Sequence, residues 1–388
     1  MNAPSRPVKI FIVAGEESGD QLGYKLMRAL RARRSDIVFS GVGGKAMTGE
    51  GLTSLFLQDD IAVMGFVPVI RRLPLLLRRI SQTAQAAIAE NPDVVVIIDS
   101  PDFTHRVARI VRKAAPSIPI VDYVSPTVWA WRPGRARKMR AYVDHLLALL
   151  PFEPRVHAEL GGPSCTYVGH PLIERLGDYR PAQNEPGLRE QVPPTLLVLP
   201  GSRRSEIARL LPVFGETLAQ LVAQYGPVKA VLPAVDHLAD DISRHVESWP
   251  VRPEIVRGHE NKLRAFRAAR AALAASGTVT LELALAGVPT VAAYRVSRLE
   301  EEIIKRVVLV SSALLPNIIL GEKIVPEFLQ DAASPKNLSA ALLPLIAGGE
   351  QREAQLAAFA RIDEIMRLPA GQSPSEKAAE IVLHYVKR

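Results

Sequence analysis

Residues 195–213, TLLVLPGSRRSEIARLLPV, combine the groups needed to hold an anion. Residues 196–199 form a branched, apolar run that reads as a buried parallel strand. The chain then turns through Pro200, Gly201 and Ser202 into a segment with Ile207, Leu210 and Leu211 at helical spacing. Gly201 permits close backbone approach, and the helix start aims free N–H groups and its dipole at the loop. Arg203 adds a forked donor suited to phosphate. The alternative is an ordinary strand-to-helix turn with solvated arginines. A second small-residue loop, Ser276-Gly277-Thr278, opens another helix, with Glu282 one turn on. Two such loops can hold a diphosphate while a carboxylate takes the ribose hydroxyls, although Glu282 also suits a plain dipole complement. A third strand end, in DVVVIID at residues 93–99, delivers Asp99, Ser100 and Asp102.

Strands alternating with helices must position these loops. Residues 8–14 read as a strand, followed by the loop GEESGD and a helix over residues 21–31. The same logic recurs at residue 195, which predicts two doubly wound α/β domains facing each other across a cleft. Further strands are expected at 37–39, 93–99, 120–124, 146–150, 196–199, 230–232, 271–274 and 290–294. The proline-rich stretch 178–194 reads as a linker. The expected division is 1–172, 173–350 and a helical tail over 351–388. GVGGKAM, with Gly41, Gly43 and Ala46 upstream of Asp59 and Asp60, half-matches a dinucleotide fingerprint, but its strand is short.

The 388 residues carry a net charge of +8, which favours anionic partners. One cysteine, Cys165, excludes a disulfide framework and fits a reducing compartment. No apolar run reaches the roughly 18 residues of a membrane span, and no secretory leader is expected. Residues 64–80 interleave Phe66, Val67, Val69, Leu73, Leu75, Leu76 and Leu77 with arginines. That stretch fits a patch lying on an anionic membrane, or a core helix with snorkelling arginines. No Asp-x-Asp triplet and no zinc-spaced His or Cys cluster occurs, so no metal and no cofactor is expected. The basic run RPGRARKMR lacks aromatic spacing for nucleic acid, so no nucleic-acid partner is expected and the run reads as attraction for phosphate or lipid headgroups.

The series GEESGD, IIDSPDF, YVSPTVWAWR, LPFE, YVGHPL, LPGSRRSEI, ASGTVTLE, LPN and PEFLQ strongly resembles lipid-A-disaccharide synthase, in order from residue 8 to about 360. The resemblance implies a GT-B glycosyltransferase with two Rossmann-like domains. It implies transfer from UDP-2,3-diacylglucosamine to 2,3-diacylglucosamine 1-phosphate (lipid X), giving a β-1,6-linked disaccharide phosphate and UDP. It further implies a cytoplasmic protein peripheral to the inner membrane, and a homodimer, with exchange of C-terminal segments as one form of it. Asp99 matches the family's essential aspartate and suits a rigid general base at a strand end. Asp102 is the alternative base, or a helix cap. Arg203 matches the essential arginine, acting with Ser202 on the departing UDP. Asn317 in LPN and Gln330 in PEFLQ are placed by the resemblance alone near the donor. Gly15, Glu17, Ser18 and Ser125 fall on the acceptor side, with Ser18 and Asp20 equally suited to capping the first helix. Two departures stand out. Thr104 occupies a position where Asn is common, and Asp122 one where His is common. Competing readings are another UDP-sugar transferase or epimerase, which the same donor loops would serve, and a basic nucleic-acid-binding protein.

Overall fold

The computed structural model describes residues 6–62, 66–185 and 187–386. The chain divides into two compact units, one running to Pro171 and resuming at Leu368, the other spanning Leu172–Arg367. In the first, β1 (Val8–Ala14), β2 (Ile37–Val42), β3 (Thr53–Ser54), β4 (Val94–Ile98), β5 (Ile120–Tyr123), β6 (His145–Ala148) and β7 (Ser164–Tyr167) form one parallel sheet. Their order is β3-β2-β1-β4-β5-β6-β7. In the second, β8 (Thr195–Leu199), β9 (Lys229–Pro233), β10 (Glu254–Val256), β11 (Ala269–Ala275), β12 (Thr290–Tyr294) and β13 (Glu327–Leu329) pair in the order β10-β9-β8-β11-β12-β13, again parallel throughout. Each sheet reverses its winding once, between β1 and β4 and between β8 and β11. Crevices at such reversals, outside the carboxyl ends of the strands, are where doubly wound sheets bind ligands.

The central strands read as unbroken apolar runs because helices cover both faces. β4, VVVII, is wholly buried, as is β8, TLLVL. In the first unit Ile10, Ile12, Val94 and Val96 pack with Leu26 and Met27 on one side, while Phe11, Val13, Val95 and Ile97 pack with Ala84, Val107 and Val111 on the other. The expected α/β architecture with a helical C-terminal region is the one observed. The helical tail is divided: Glu350–Met366 packs in the second unit, and Pro374–Tyr385 lies against Glu17–Arg33 in the first.

Two local expectations change, and the half-match at GVGG stays no more than that, because its loop is closed by protein. The carboxylate of Asp20 accepts from the backbone N–H groups of Gly44 (2.7 Å), Ala46 (2.9 Å) and Met47 (3.1 Å). Asp20 therefore caps the short helix Lys45–Gly49, not its own helix, whose N-cap is Glu16. The stretch 178–194 is not a free linker, because its arginines are tied to the second unit. Arg180 donates to Leu285 O and Asp363, and Arg189 to the carbonyls of Arg267, Ala286 and Gly287.

Asp20 is 3 % exposed and serves three backbone donors. Asp20→Ala should cost about 3 kcal/mol by orphaning them, with Asp20→Asn intermediate. Urea denaturation of the full chain checks this, and an unchanged midpoint for the alanine variant would show that water replaces the carboxylate.

Candidate functional site

The pairing of Ala14 with Ile98 makes the loops after β1 and β4 leave the sheet side by side. They meet closely: a Cβ added to Gly15 would lie 2.4 Å from the Ser100 side chain. Asp99 and Ser100 both adopt left-handed backbone, with φ of 52° and 44°. Such conformations cost non-glycine residues roughly 1–3 kcal/mol each and concentrate at functional sites. Asp99 is held by its N–H on Tyr123 O (3.0 Å) and by Thr104 Oγ1 donating to its carbonyl (2.7 Å). Its Oδ1 accepts from Ser100 N at 2.8 Å, whereas among the described residues Oδ2 has only a long contact from Ser18 Oγ, 3.4 Å. One carboxylate oxygen is fixed and the other is left to act. Glu16 Oε1 accepts from Ser100 Oγ at 2.8 Å. Of the adjacent acidic pair in GEESGD, both residues line the same cavity, but Glu16 is the one bonded to Ser100, while Glu17 is exposed. The turn direction of the loop separates the two.

A cavity of about 720 Å³ opens beside Asp99, lined by its neighbours Glu16, Ser18 and Ser100 and not by Asp99 itself. Glu16, Glu17, Ser18, Ser100 and Asp102 form its polar side, and Ile61, Leu73, Leu76, Leu77 and Ile80 its apolar side. Asp102 is 85 % exposed at the side chain and pairs with Arg135 at 3.3 Å. The apolar wall comes from the helix Phe66–Glu90, whose later turns, with Ile80, Ala84 and Ala87, are anchored in the core. Arg79 is spent internally on Asp60 and stacks over Phe56 at 4.5 Å. Leu73 and Leu77 remain 42 % and 49 % exposed. Leu75 is half-buried and is not part of the wall. The side chains of Phe66, Val67 and Val69 lie outside the described residues.

In the second unit the register of Leu199 with Ala274 likewise brings two loops together. Gly201, at φ 109°, would place a Cβ 3.6 Å from that of Ala275. Arg203 is the N-cap of the helix Arg204–Tyr225, with its guanidinium 3.3 Å from Glu206 and 68 % exposed. Across the reversal, Ser276 and Gly277 lead into Thr278, the N-cap of Val279–Ala286. Two helix starts therefore lie at adjacent strand ends, an arrangement suited to a diphosphate. Glu282 is held by Lys262 Nζ at 2.6 Å, a cation the sequence reading missed because it arrives from the helix His259–Ala268, twenty residues earlier. Asn317 and Gln330 are not free at this site. Asn317 Oδ1 accepts from Ile324 N and Val325 N while its Nδ2 donates to Ser312 and Val325 O. Gln330 accepts from Val296 N and donates to Glu301. Both amides are consumed in shaping loops beside the donor strands.

Comparison with known proteins now bears on this geometry. A sequence model of the family described as lipid-A-disaccharide synthetase matches residues 10–382. The lipid-A-disaccharide synthase of Nitrobacter hamburgensis is 57 % identical over 97 % of this chain and 95 % of its own. That of Rhodospirillum centenum is 45 % identical over 99 % and 96 %. The chain belongs to the lipid-A-disaccharide synthetase family. Among solved structures, UDP-GlcNAc 2-epimerase from Neisseria meningitidis, bound to UDP-GlcNAc, superposes with a TM-score of 0.60 at 12 % identity, covering 97 % of this chain and 99 % of that one. Acinetobacter baumannii MurG does so with 0.55 at 14 %, covering 97 % and 100 %. These likenesses establish the shared fold.

Within this family member, both departures noted in the sequence have a local account. Thr104 Oγ1 bonds the carbonyls of Asp99 and Ser100, so it steadies the left-handed pair. Asp122 is buried beside His105, 3.0 Å from Nε2, with its Oδ1 unbonded. Burial pushes its carboxyl above the usual range, against the pull of the imidazole. Ser125 does not reach the cavity: it is 5 % exposed and lies 2.9 Å from His157 Nε2. Beside it, Glu153 accepts from Leu150 N (3.0 Å) and Trp129 Nε1 (3.2 Å). This polar cluster ties the loop after β5 to the helix Glu153–Glu159.

The cluster makes opposed contributions to pH dependence. Burial raises the Glu153 carboxyl from 4.5 to about 7, outweighing the Leu150 and Trp129 donors. Its stabilising contribution is complete below pH 4.5 and is lost as pH rises through about 7. Burial lowers His157 from 6.5 to about 4, so its contribution is complete above pH 6.5 and is lost as pH falls through about 4. The two slopes oppose each other over the shared window. Glu153→Gln should leave stability rising from pH 4 to 6.5, and His157→Gln should leave it falling from pH 4.5 to 7, each by on the order of 3 kcal/mol. Parallel melting-temperature curves for the two variants would contradict this.

Proposed function

We propose that this chain is an inverting glycosyltransferase that condenses UDP-2,3-diacylglucosamine with 2,3-diacylglucosamine 1-phosphate, forming the β-1,6-linked disaccharide phosphate and UDP. The observation that carries the reading is the union, in a member of this family, of Glu16 and Ser100 lining a strand-reversal cavity with a leucine wall, and Asp99 bonded directly behind them to Ser100 and Ser18. A carboxylate beside an apolar wall suits an acceptor that is both sugar and lipid. Asp99 Oδ2 takes the proton of the acceptor's 6-hydroxyl as that oxygen attacks the anomeric carbon of the donor. Glu16 acts through Ser100 to keep Asp99 aimed, and is a positioning residue. The C–O bond to the diphosphate breaks as the new one forms. The charge gathering on UDP is met by the helix start after Arg203, by the guanidinium of Arg203, by Ser202, and by the loop Ser276–Thr278. Glu282, oriented by Lys262, takes the ribose hydroxyls.

The N-terminal unit is then the acceptor side and the C-terminal unit the donor side. No helix among the described residues is long and apolar enough to cross a membrane. The exposed Leu73 and Leu77, with the outward arginines of the same helix, support peripheral contact with an anionic bilayer, from which a two-chain lipid acceptor would enter the cavity.

Asp99→Ala should lower kcat by roughly 10²–10⁴-fold while UDP-sugar binding survives. Glu16→Gln should lower kcat less, and Asp102→Asn should leave it near wild type. UDP release from acylated and unacylated UDP-glucosamine measures all three, and near-normal turnover in Asp99→Ala would remove Asp99 as the base.

Leu73→Ser combined with Leu77→Ser should weaken sedimentation with anionic liposomes and raise KM for the acylated acceptor. Unchanged liposome binding with raised KM would confine these leucines to the cavity wall.

A further inference from the structure

The donor and acceptor of the proposed reaction carry the same acylated sugar and differ at C1, where one has a nucleotide diphosphate and the other a phosphomonoester. Discrimination therefore needs a monoester site on the acceptor side. The polar side of the cavity is dominated by carboxylates, which repel such a group. Among the described residues lining it, Arg106 is the one cation, and it has no hydrogen-bond or ion-pair partner among them. It lies one turn beyond Asp102, on the same face of the helix Pro101–Ala114.

A second cation arrives from the basic run in the loop after β5. Arg135 reaches Asp102 at 3.3 Å, the carboxylate being 85 % exposed. The Arg135 side chain is only 19 % exposed, so the pair is open to solvent on the carboxylate side, where a better anion can replace Asp102. Arg132 is third. Its backbone is left-handed, with φ of 53°, and its guanidinium lies 4.2 Å over the ring of Trp131. That ring is 36 % exposed and held by Nε1 donating to Thr127 Oγ1 at 2.9 Å. Arg135 approaches the same ring at 5.9 Å. The indole thus organises two arginines whose planar forks match phosphate oxygens.

We propose that Arg106, Arg135 and Arg132 form the site that recognises the phosphomonoester at C1 of the acceptor sugar, with Asp102 holding Arg135 until the phosphate displaces it. The proposal rests on the glycosyltransferase reading above. The spacing fits: a helix rises 1.5 Å per residue, so Arg106 lies about 7 Å along the helix from its start beside Asp99. The phosphate and the reacting hydroxyl then sit on the two sides of the ring oxygen of one hexose.

The test uses the full chain with diacylglucosamine 1-phosphate and its dephosphorylated analogue, in turnover assays and in donor-free titrations followed by tryptophan fluorescence. Wild type should favour the phosphorylated acceptor in both. Arg106→Ala and Arg135→Ala should each raise its KM and Kd by roughly ten- to hundredfold, the loss expected of a charge-assisted hydrogen bond, with KM for the donor unchanged. The preference for phosphate should collapse, and Arg106→Lys and Arg135→Lys should restore part of it. Retained preference in the alanine variants, with disaccharide still formed, would overturn the site and leave the reaction standing. No disaccharide from wild type, with phosphate-dependent binding lost in the variants, would overturn the reaction and leave the anion site standing.

Discussion

Parallel strands can deliver side chains to a common point only at their carboxyl ends, and only where the winding reverses can two consecutive loops diverge and leave room between them. In the first unit that constraint is expressed by the pairing of Ala14 with Ile98. It sets Gly15 against Ser100 so tightly that no side chain fits between them. The price in backbone strain at Asp99 and Ser100 is roughly 2–6 kcal/mol together. Two bonds to the backbone of Asp99, from Thr104 Oγ1 and to Tyr123 O, each return about 1 kcal/mol. The wholly buried strand before them supplies the rest. Strain held by so rigid a support keeps one carboxylate oxygen bonded and the other available.

Much of this was legible in the sequence because the relevant signals are local. Apolar runs ending in small or acidic residues located β1, β4, β8 and β11, and the loops that follow them. What stayed hidden depended on chain direction or distant pairing. Glu16 and Glu17 are chemically identical neighbours, and only the geometry around Ser100 tells them apart. Lys262 reaches Glu282 across a helix that carries no motif. Asp20 suits a cap for its own helix, yet it takes the N–H groups of Gly44, Ala46 and Met47 and so closes the GVGG loop. Asn317 and Gln330 sit in motifs of the right family, but their amides are taken up by backbone groups and by the side chains of Ser312 and Glu301. A motif can mark the shape of a site as well as its contacts.

The helix Phe66–Glu90 shows how one pattern admits two readings, of which the core packing is observed and the membrane contact is proposed. Its leucines and arginines suit a membrane surface and a core helix equally, since both require an apolar stripe with charged flanks. The structure separates them by position along the helix. Ile80, Ala84 and Ala87 lie in the core, whereas Leu73 and Leu77 overhang the cavity with nearly half their surface exposed. An apolar surface left open beside a polar pocket is costly unless it meets something apolar.

The charged side chains around both strand reversals follow a common rule. Arg203 rests on Glu206, and Arg135 on Asp102, each pair at 3.3 Å with at least one partner largely exposed. Such pairs contribute little stability, yet they orient a guanidinium that would otherwise sample many rotamers. On the proposed reading, a phosphate, with more charge and more acceptor oxygens than a carboxylate, would outcompete the resting partner. Lys262 and Glu282 differ: the pair is mostly buried, at 31 % and 17 % exposure, and closer at 2.6 Å. There the bond fixes the carboxylate instead of lending the cation. The first two pairs each leave one partner in solvent, whereas Lys262 and Glu282 are both largely covered.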